Sequence, residues 1–230
     1  MVHIPFIHRN REIMSSSSDE PSAKKPRRRS RIREAHEAKI LHIAEELFSR
    51  NGYNGTAIEA IAEHAGMSKQ NLLYYFSSKE VLYHRVLENI LDLWLEKMAL
   101  LDQEGEEPAE MLRNYIRGKV ELSRTNPKAS KVFAIEIING APHLKDYLKS
   151  SLTPVLEADV QLVKDWIAEG KMDPIDPYHL FFLIWSSTQT YADFSSQVEL
   201  SLGKGELDEA DYQTATEFLT HVILKGVGLS

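Results

Sequence analysis

Between Thr56 and Glu80 three helix-start signals follow one another closely, and they constrain this 230-residue chain more than any other feature. Thr56-Ala-Ile-Glu59 and Ser77-Ser-Lys-Glu80 both have the form of a capping box, in which the first side chain caps and the fourth reaches back. Ser68 lies between them and can cap a third helix, with Met67 and Leu72 as a hydrophobic staple. The spacing predicts helices over 57–64 and 69–75, joined by a tight turn at Ala65–Met67 that contains Gly66. A longer helix then runs from Ser78 to about Leu101. Ile58, Ile61, Ala62, Leu72 and Phe76 should form the small core that fixes the two short helices.

Helical periodicity extends over most of the remaining chain. Ile40, Ile43, Ala44, Leu47 and Phe48 share one face of Glu34–Asn51, and Gly52 stands where a C-terminal cap belongs. Beyond a loop at Gln103–Pro108, helices are expected near Ala109–Arg124, Lys128–Asn139, Leu144–Glu169, Pro177–Val198 and Ala210–Lys225. Asn126-Pro127 and Asp176-Pro177 pair a capping residue with Pro at the first helical position. Gly140, Gly170 and Gly226 mark ends. No alternating β pattern of useful length and no internal repeat appear, so the predicted class is all-α.

Charge is divided unevenly. Residues 1–50 carry 11 Lys and Arg against 7 Asp and Glu, leaving 16 against 27 for residues 51–230. The run Lys24–Arg33, KKPRRRSRIR, holds seven cations and no acid. Alone, such a run reads as a solvated tail; just before a pair of short helices it also reads as an arm for phosphates or a minor groove. Residues 1–32 are expected to be a disordered basic tail, because they are polar, Pro-containing and aperiodic. Cysteine is absent, which removes disulfides, thiolate nucleophiles and Cys-based metal sites and fits a reducing cytoplasm. Neither a membrane-spanning apolar run nor a signal-peptide core is present, so a cytoplasmic location is expected.

Two short helices joined by a Gly-containing turn let the second project into a DNA major groove about 12 Å wide. Its first turn offers Lys69, Gln70 and Asn71, long or amide side chains that reach base edges and phosphates. Tyr74 and Tyr75 are adjacent, so one hydroxyl can meet a phosphate while the other ring packs inward. Lys79 sits at the start of the next helix, where its ammonium and free N–H groups can meet a phosphate. From spacing alone, three short capped helices forming only a core remain the alternative.

The run from Lys39 to Val86 resembles the DNA-binding domain of TetR-type regulators. The matching residues are Ala44, Phe48, Gly52-Tyr53, Thr56, Ile61-Ala62, Ala65-Gly66-Met67-Ser68, Leu73-Tyr74-Tyr75-Phe76, Lys79-Glu80 and Leu82. The resemblance implies a helix-turn-helix DNA-binding domain over 33–78, with DNA contacts from Thr56, Lys69, Gln70, Asn71, Tyr74 and Lys79. Tyr75 stands where the family often has His. It also implies a helical effector-binding and dimerisation domain over 79–230, whose last two helices pair with a second subunit.

The sequence supports that second domain independently. Pro177–Val198 is apolar on nearly all sides, as a helix buried by its own fold and by a partner would be. Inside it Ser186, Ser187, Thr188, Gln189 and Thr190 are polar and need partners if buried. Within the family, this helix, Lys131–Leu144 and Leu72–Leu95 are similar to a pyrimidine-responsive branch, which implies uracil or thymine as effector and pyrimidine catabolism as the controlled process. Gln189 offers one acceptor and two donors to a lactam edge, and Trp94 and Trp185 offer ring faces. Phe133 and Thr188 complete the candidate ligand set.

The expected protein is thus a homodimeric regulator, a repressor in the simplest case, that binds a palindromic operator and releases it on effector binding. A TetR-type repressor answering to another small aromatic compound is the alternative. An enzyme is disfavoured, since no nucleophile elbow, dinucleotide fingerprint, phosphate loop or metal-ligand spacing occurs. A purely structural bundle leaves Lys69–Lys79 without a purpose. No cofactor, no metal and no membrane partner are expected.

Overall fold

The computed structural model describes residues 26–98, 101 and 106–229, with side chains from residue 31 onward. Contacts divide the chain into two units, Met1–His36 and Glu37–Ser230. Helix α1 (Pro26–Gly55) begins in the first and extends into the second, so the end of the expected tail is helical. The expected basic arm otherwise falls largely outside the described residues.

Within the second unit α1 is interrupted at Gly52, whose φ of 67° and ψ of 178° suit only glycine, so the predicted stop is where the helix breaks. Helices α2 (Ile58–His64) and α3 (Lys69–Tyr75) follow. Their turn carries Gly66 at φ 69°, with Gly66 and Met67 N–H groups donating to the Glu63 and Ala62 carbonyls. Ser68 caps α3 as predicted, its hydroxyl accepting from Asn71 N–H at 3.2 Å. Ile40, Ala44, Phe48, Ile61, Ala62, Leu72 and Phe76 are buried together, and Ile58 packs against them half-buried. Truncating Phe48 to alanine in such a core costs about 3–5 kcal/mol.

Helix α4 (Lys79–Met98) carries this core onward through Leu82, Val86, Leu87, Ile90, Leu91 and Trp94. Helix α5 (Pro108–Thr125) is the central element, packed against α4, α6 (Pro127–Ile138), α9 (Pro177–Asp193) and α11 (Glu209–Gly226). Its buried stripe runs Met111, Leu112, Tyr115, Ile116, Lys119, Val120 and Ser123, the i, i+3, i+4 spacing of one helix face. Every described residue in regular structure is helical, so the all-α class holds.

Several boundaries differ from expectation for identifiable reasons. The Thr56 capping box does not form: Ala57 begins α2 without a side-chain cap, because the Thr56 hydroxyl donates to Gly52 O at 2.8 Å and Leu47 O at 3.3 Å. The next cap is Ser78 rather than Ser77, with Ser78 Oγ accepting from Val81 N–H at 3.1 Å. Asn126 precedes Pro127 but its side chain caps nothing, and accepts instead from Thr125 Oγ1. The segment expected as one helix over 144–169 is α7 (Lys145–Tyr147), a π-helical turn at Leu148–Leu152, and α8 (Thr153–Ala168). Pro154 has no N–H to give the preceding turn, and the widened turn sits directly before it. Pro177–Val198 is likewise two helices, α9 and α10 (Ser195–Leu202), broken at Phe194. Both sides of that break are tied to α6, Asp193 by Ser130 and Ser195 by Lys131.

Candidate functional site

Helix α3 lies on the surface of its small core. Leu72 faces inward, while Lys69, Gln70 and Asn71 are exposed on the first turn. Tyr74 is 70% exposed, while Tyr75 is half-buried and packs against the core, with the two rings edge-on at 5.3 Å. Lys69 Nζ meets Glu59 at 2.6 Å across the turn between α2 and α3. Both partners are solvent-exposed, so the pair contributes little to stability.

Two of the family-implied contacts are spent internally. Thr56 is 2% exposed and its hydroxyl points back to Gly52, so it stabilises the break in α1 rather than presenting a donor outward. Lys79 Nζ donates to the Tyr53 and Thr56 carbonyls at 2.9 and 3.1 Å and lies 4.3 Å from the Tyr53 ring centroid. These bonds take two of its three ammonium protons. Lys79 therefore holds the end of α1 against the start of α4.

The effector candidates converge between α4, α5, α6 and α9, with one exception. The amide orientation of Gln189 that satisfies both neighbours accepts from the Trp94 indole N–H at 2.8 Å and donates to the Trp185 carbonyl at 3.2 Å. Phe133 of α6 lies 5.9 Å from Trp94, centroid to centroid. Thr188 is buried; its carbonyl accepts from Ser123 Oγ at 2.9 Å, and its hydroxyl bonds back to Ile184 O. Trp185 is the exception. Its indole N–H donates to Tyr115 Oη at 2.6 Å, and its ring packs near Phe181 and Phe182. It shares a helix face with Gln189, but its N–H goes to α5 while the Gln189 amide meets Trp94.

Sequence inspection missed three polar residues here. Lys119 is 2% exposed, with Nζ 5.1 Å from the centroid of the Trp94 ring. Burial pushes its amine down to about 7, partly offset by Asp193. Asp193 is raised by its own burial and lowered by the Ser130 hydrogen bond and by Lys119 and Lys131. A signal existed for Lys119: a lysine at an apolar position of the α5 stripe. None existed for Asp193 or Ser130, whose burial depends on the packing of α6 against α9.

A polar cluster joins these helices to the reading head. Glu136 of α6 is 3% exposed and accepts from Tyr83 Oη at 3.1 Å and from His143 N–H at 2.6 Å. Burial, with Glu136 beside it, pushes the Tyr83 phenol well above its usual range. The His143 ring lies 4.4 Å from Tyr53, which in turn carries Lys79. Lys128 of α6 also reaches Glu46 of α1 at 3.1 Å. Helix α6 thus touches Trp94 through Phe133, Tyr83 and His143 through Glu136, and α1 through Lys128.

Residues 40–86 match the family model described as bacterial regulatory proteins, tetR family, and residues 87–230 match that of the YcdC-like protein C-terminal region. The chain is a TetR-family regulator. Among relatives of this TetR-family chain, the HTH-type transcriptional regulator RutR of Escherichia coli K12 is 44% identical over 200 residues, covering 87% of this chain and 94% of RutR. The ketosteroid regulator KstR2 of Mycobacterium tuberculosis superposes with a TM-score of 0.65 over 83% of this chain and 94% of its own, at 21% identity. AibR, solved with isovaleryl coenzyme A and operator DNA, gives 0.63 over 81% and 97% at 19% identity. These two share the fold. The TetR-family regulator is a DNA-binding transcription factor and not an enzyme. Among its described residues no helix is long and apolar enough to cross a membrane.

Proposed function

We propose that this regulator binds a near-palindromic operator as a homodimer in the cytoplasm and releases it when uracil or thymine binds between α4, α6 and α9. The observation that carries the reading is the Gln189 amide, held beside the Trp94 indole N–H and the Trp185 carbonyl. Beyond those two bonds the amide keeps one acceptor lone pair and one N–H, which are what the N–H and C=O of a lactam edge would pair with. Trp94 and Phe133 supply apolar ring surface for a small planar ring. The likeness to RutR over 94% of that protein supports a place in the same branch of the family, and the resemblance to a pyrimidine-responsive branch supplies the effector class and the control of pyrimidine catabolism. Tyr178, Phe182 and Leu183 on α9 and Phe218 and Val222 on α11 are exposed apolar side chains on the two helices expected to pair with a second subunit.

In the DNA-bound dimer, Gln70 and Asn71 read base edges, and Lys69 and Tyr74 contact phosphates. Lys79 contributes through its remaining N–H and through the backbone at the start of α4. Thr56 acts indirectly, by holding the Gly52 turn. Effector binding acts through α6, since a shift of Phe133 carries Glu136, one turn along the same helix, and with it the contacts to Tyr83 and His143.

Calorimetry of uracil, thymine and cytosine on the full chain, paired with an operator gel shift, tests this reading. Uracil and thymine should bind and release operator. Cytosine, which reverses donor and acceptor at one edge, should bind at least about tenfold more weakly, since leaving one buried group unpaired costs roughly 1–3 kcal/mol. Gln189→Leu should lose the response to uracil while retaining operator binding. No binding of either base at millimolar concentration would refute the pyrimidine assignment and leave a TetR-type repressor of another ligand class.

A further inference from the structure

Lys119 is the residue that the assignments above do not use. Periodicity along α5 calls for an apolar side chain there, between Ile116 and Val120, yet the position carries a buried amine. Removing an ammonium from water is costly, and a Leu or Met would serve the core better. The groups around it identify what it faces. From α4 it meets the Trp94 ring, 5.1 Å away, on the indole whose N–H contacts Gln189. From α9 it meets the charge of Asp193. From α6, Ser130 donates to that carboxylate, and Lys131 adds a second positive charge near it.

We infer that Lys119 is the group that selects the effector's carbonyl oxygen: its ammonium donates to a ring C=O held against Trp94, while Asp193 supplies the counter-charge. The inference rests on the effector site proposed above and adds to it a determinant of specificity. A donor fixed beside the ring favours an imide or lactam with an outward carbonyl. It disfavours a ring that presents an amino group or a positive charge there, because two donors then face each other with no acceptor between them. Uracil and cytosine differ at one ring position in this sense, one bearing an oxygen and the other an amine.

A second consequence is proton uptake. Burial leaves the amine poised near neutrality, with its titration near 7. A carbonyl oxygen that accepts from the protonated form pulls that equilibrium towards the ammonium. Binding is then tightest where the amine is already charged. It weakens as pH rises above 7, by up to tenfold per pH unit, until the bound-state value is reached.

The test is calorimetry of uracil and cytosine on the full-length wild type, Lys119→Met and Lys119→Arg, at about pH 7.0 and pH 8.5, in two buffers of different ionisation heat. Wild type should lose about tenfold in uracil affinity across that interval and take up a fraction of a proton on binding at the higher pH. Lys119→Met should bind uracil at least about tenfold more weakly, with cytosine changed less than about twofold, so that discrimination collapses. Lys119→Arg, which stays charged, should bind without the pH dependence. Uracil binding by wild type with no proton uptake, or equal affinity and discrimination in Lys119→Met, would overturn the Lys119 assignment and leave the pyrimidine reading standing. Wild type that binds neither uracil nor thymine would overturn both. The wild-type proton uptake requires no variant, so misfolding of a substituted chain does not shelter the inference.

Discussion

A buried lysine leaves a signature in stability as well as in binding. In the folded chain the Lys119 amine titrates near 7, against 10.5 for an exposed lysine. Between those values the unfolded chain holds a proton that the folded chain has released, so stability climbs with pH through that window and is lowest below pH 7. Integrating the difference in bound protons from pH 7 to pH 9 gives about 2 kcal/mol per protomer from this one group. For a chain of this length that corresponds to a rise in Tm of about 5–9 °C. Replacing the amine by an isosteric thioether, Lys119→Met, removes the titration and should flatten this part of the profile. Removing the cation also takes from Asp193 one of the charges that hold its carboxyl down against burial, while the Ser130 hydroxyl still donates to it. The assay is differential scanning calorimetry of both proteins at one protein concentration across pH 6–9 (roughly the window of interest), read as the difference between them so that common titrations cancel. Parallel profiles would show that the amine is hydrated or fully paired, and the argument from its burial would fail.

Three further outcomes are expected. Asn71→Ala or Gln70→Ala should lose about 1–3 kcal/mol of discrimination between operator and unrelated DNA, whereas Tyr74→Phe should weaken binding to all sequences alike in fluorescence anisotropy; unchanged operator preference in both amide variants would place the base contacts elsewhere. Light scattering at micromolar concentration should give twice the chain mass, and charged substitutions at Phe182 and Phe218 should shift it towards monomer. Tyr83→Phe, which removes one donor to buried Glu136, should lower stability by about 1–3 kcal/mol in urea unfolding and weaken the release of operator by effector, unless the Glu136 cluster is only structural.

Much of the reading head is written in consecutive residues, because its geometry is local. Ser68 caps α3, Gly66 turns between α2 and α3, and Gly52 ends the regular part of α1, each through bonds to residues a few positions away. The same holds for Asp176, which caps α9 by accepting from Tyr178 and His179 N–H, and for the apolar stripes that place α1 to α4 around Phe48 and Leu72. Where neighbouring hydroxyls compete, local pattern is insufficient. Thr56 fits a capping box as well as Ser68 fits a cap, but its hydroxyl is drawn to the Gly52 carbonyl, and Ser78 displaces Ser77.

The effector region depends on contacts distant in sequence, and there tertiary structure decided. Trp185 and Gln189 lie one turn apart and look like partners, yet the Trp185 indole is claimed by Tyr115, 70 residues away, while Gln189 meets Trp94. Lys119 stands out on its helix as a lysine in an apolar stripe, but only the packing of α5 against α4 and α9 sets its amine between the Trp94 ring and Asp193. Phe194 breaks a run that reads as one helix, with its flanking residues tied to α6. Capping and periodicity are set by bonds within a turn or two of chain, so the sequence determined the helices and the reading head. Which polar side chains meet in the interior depends on how helices cross, and that geometry exists only once they have packed.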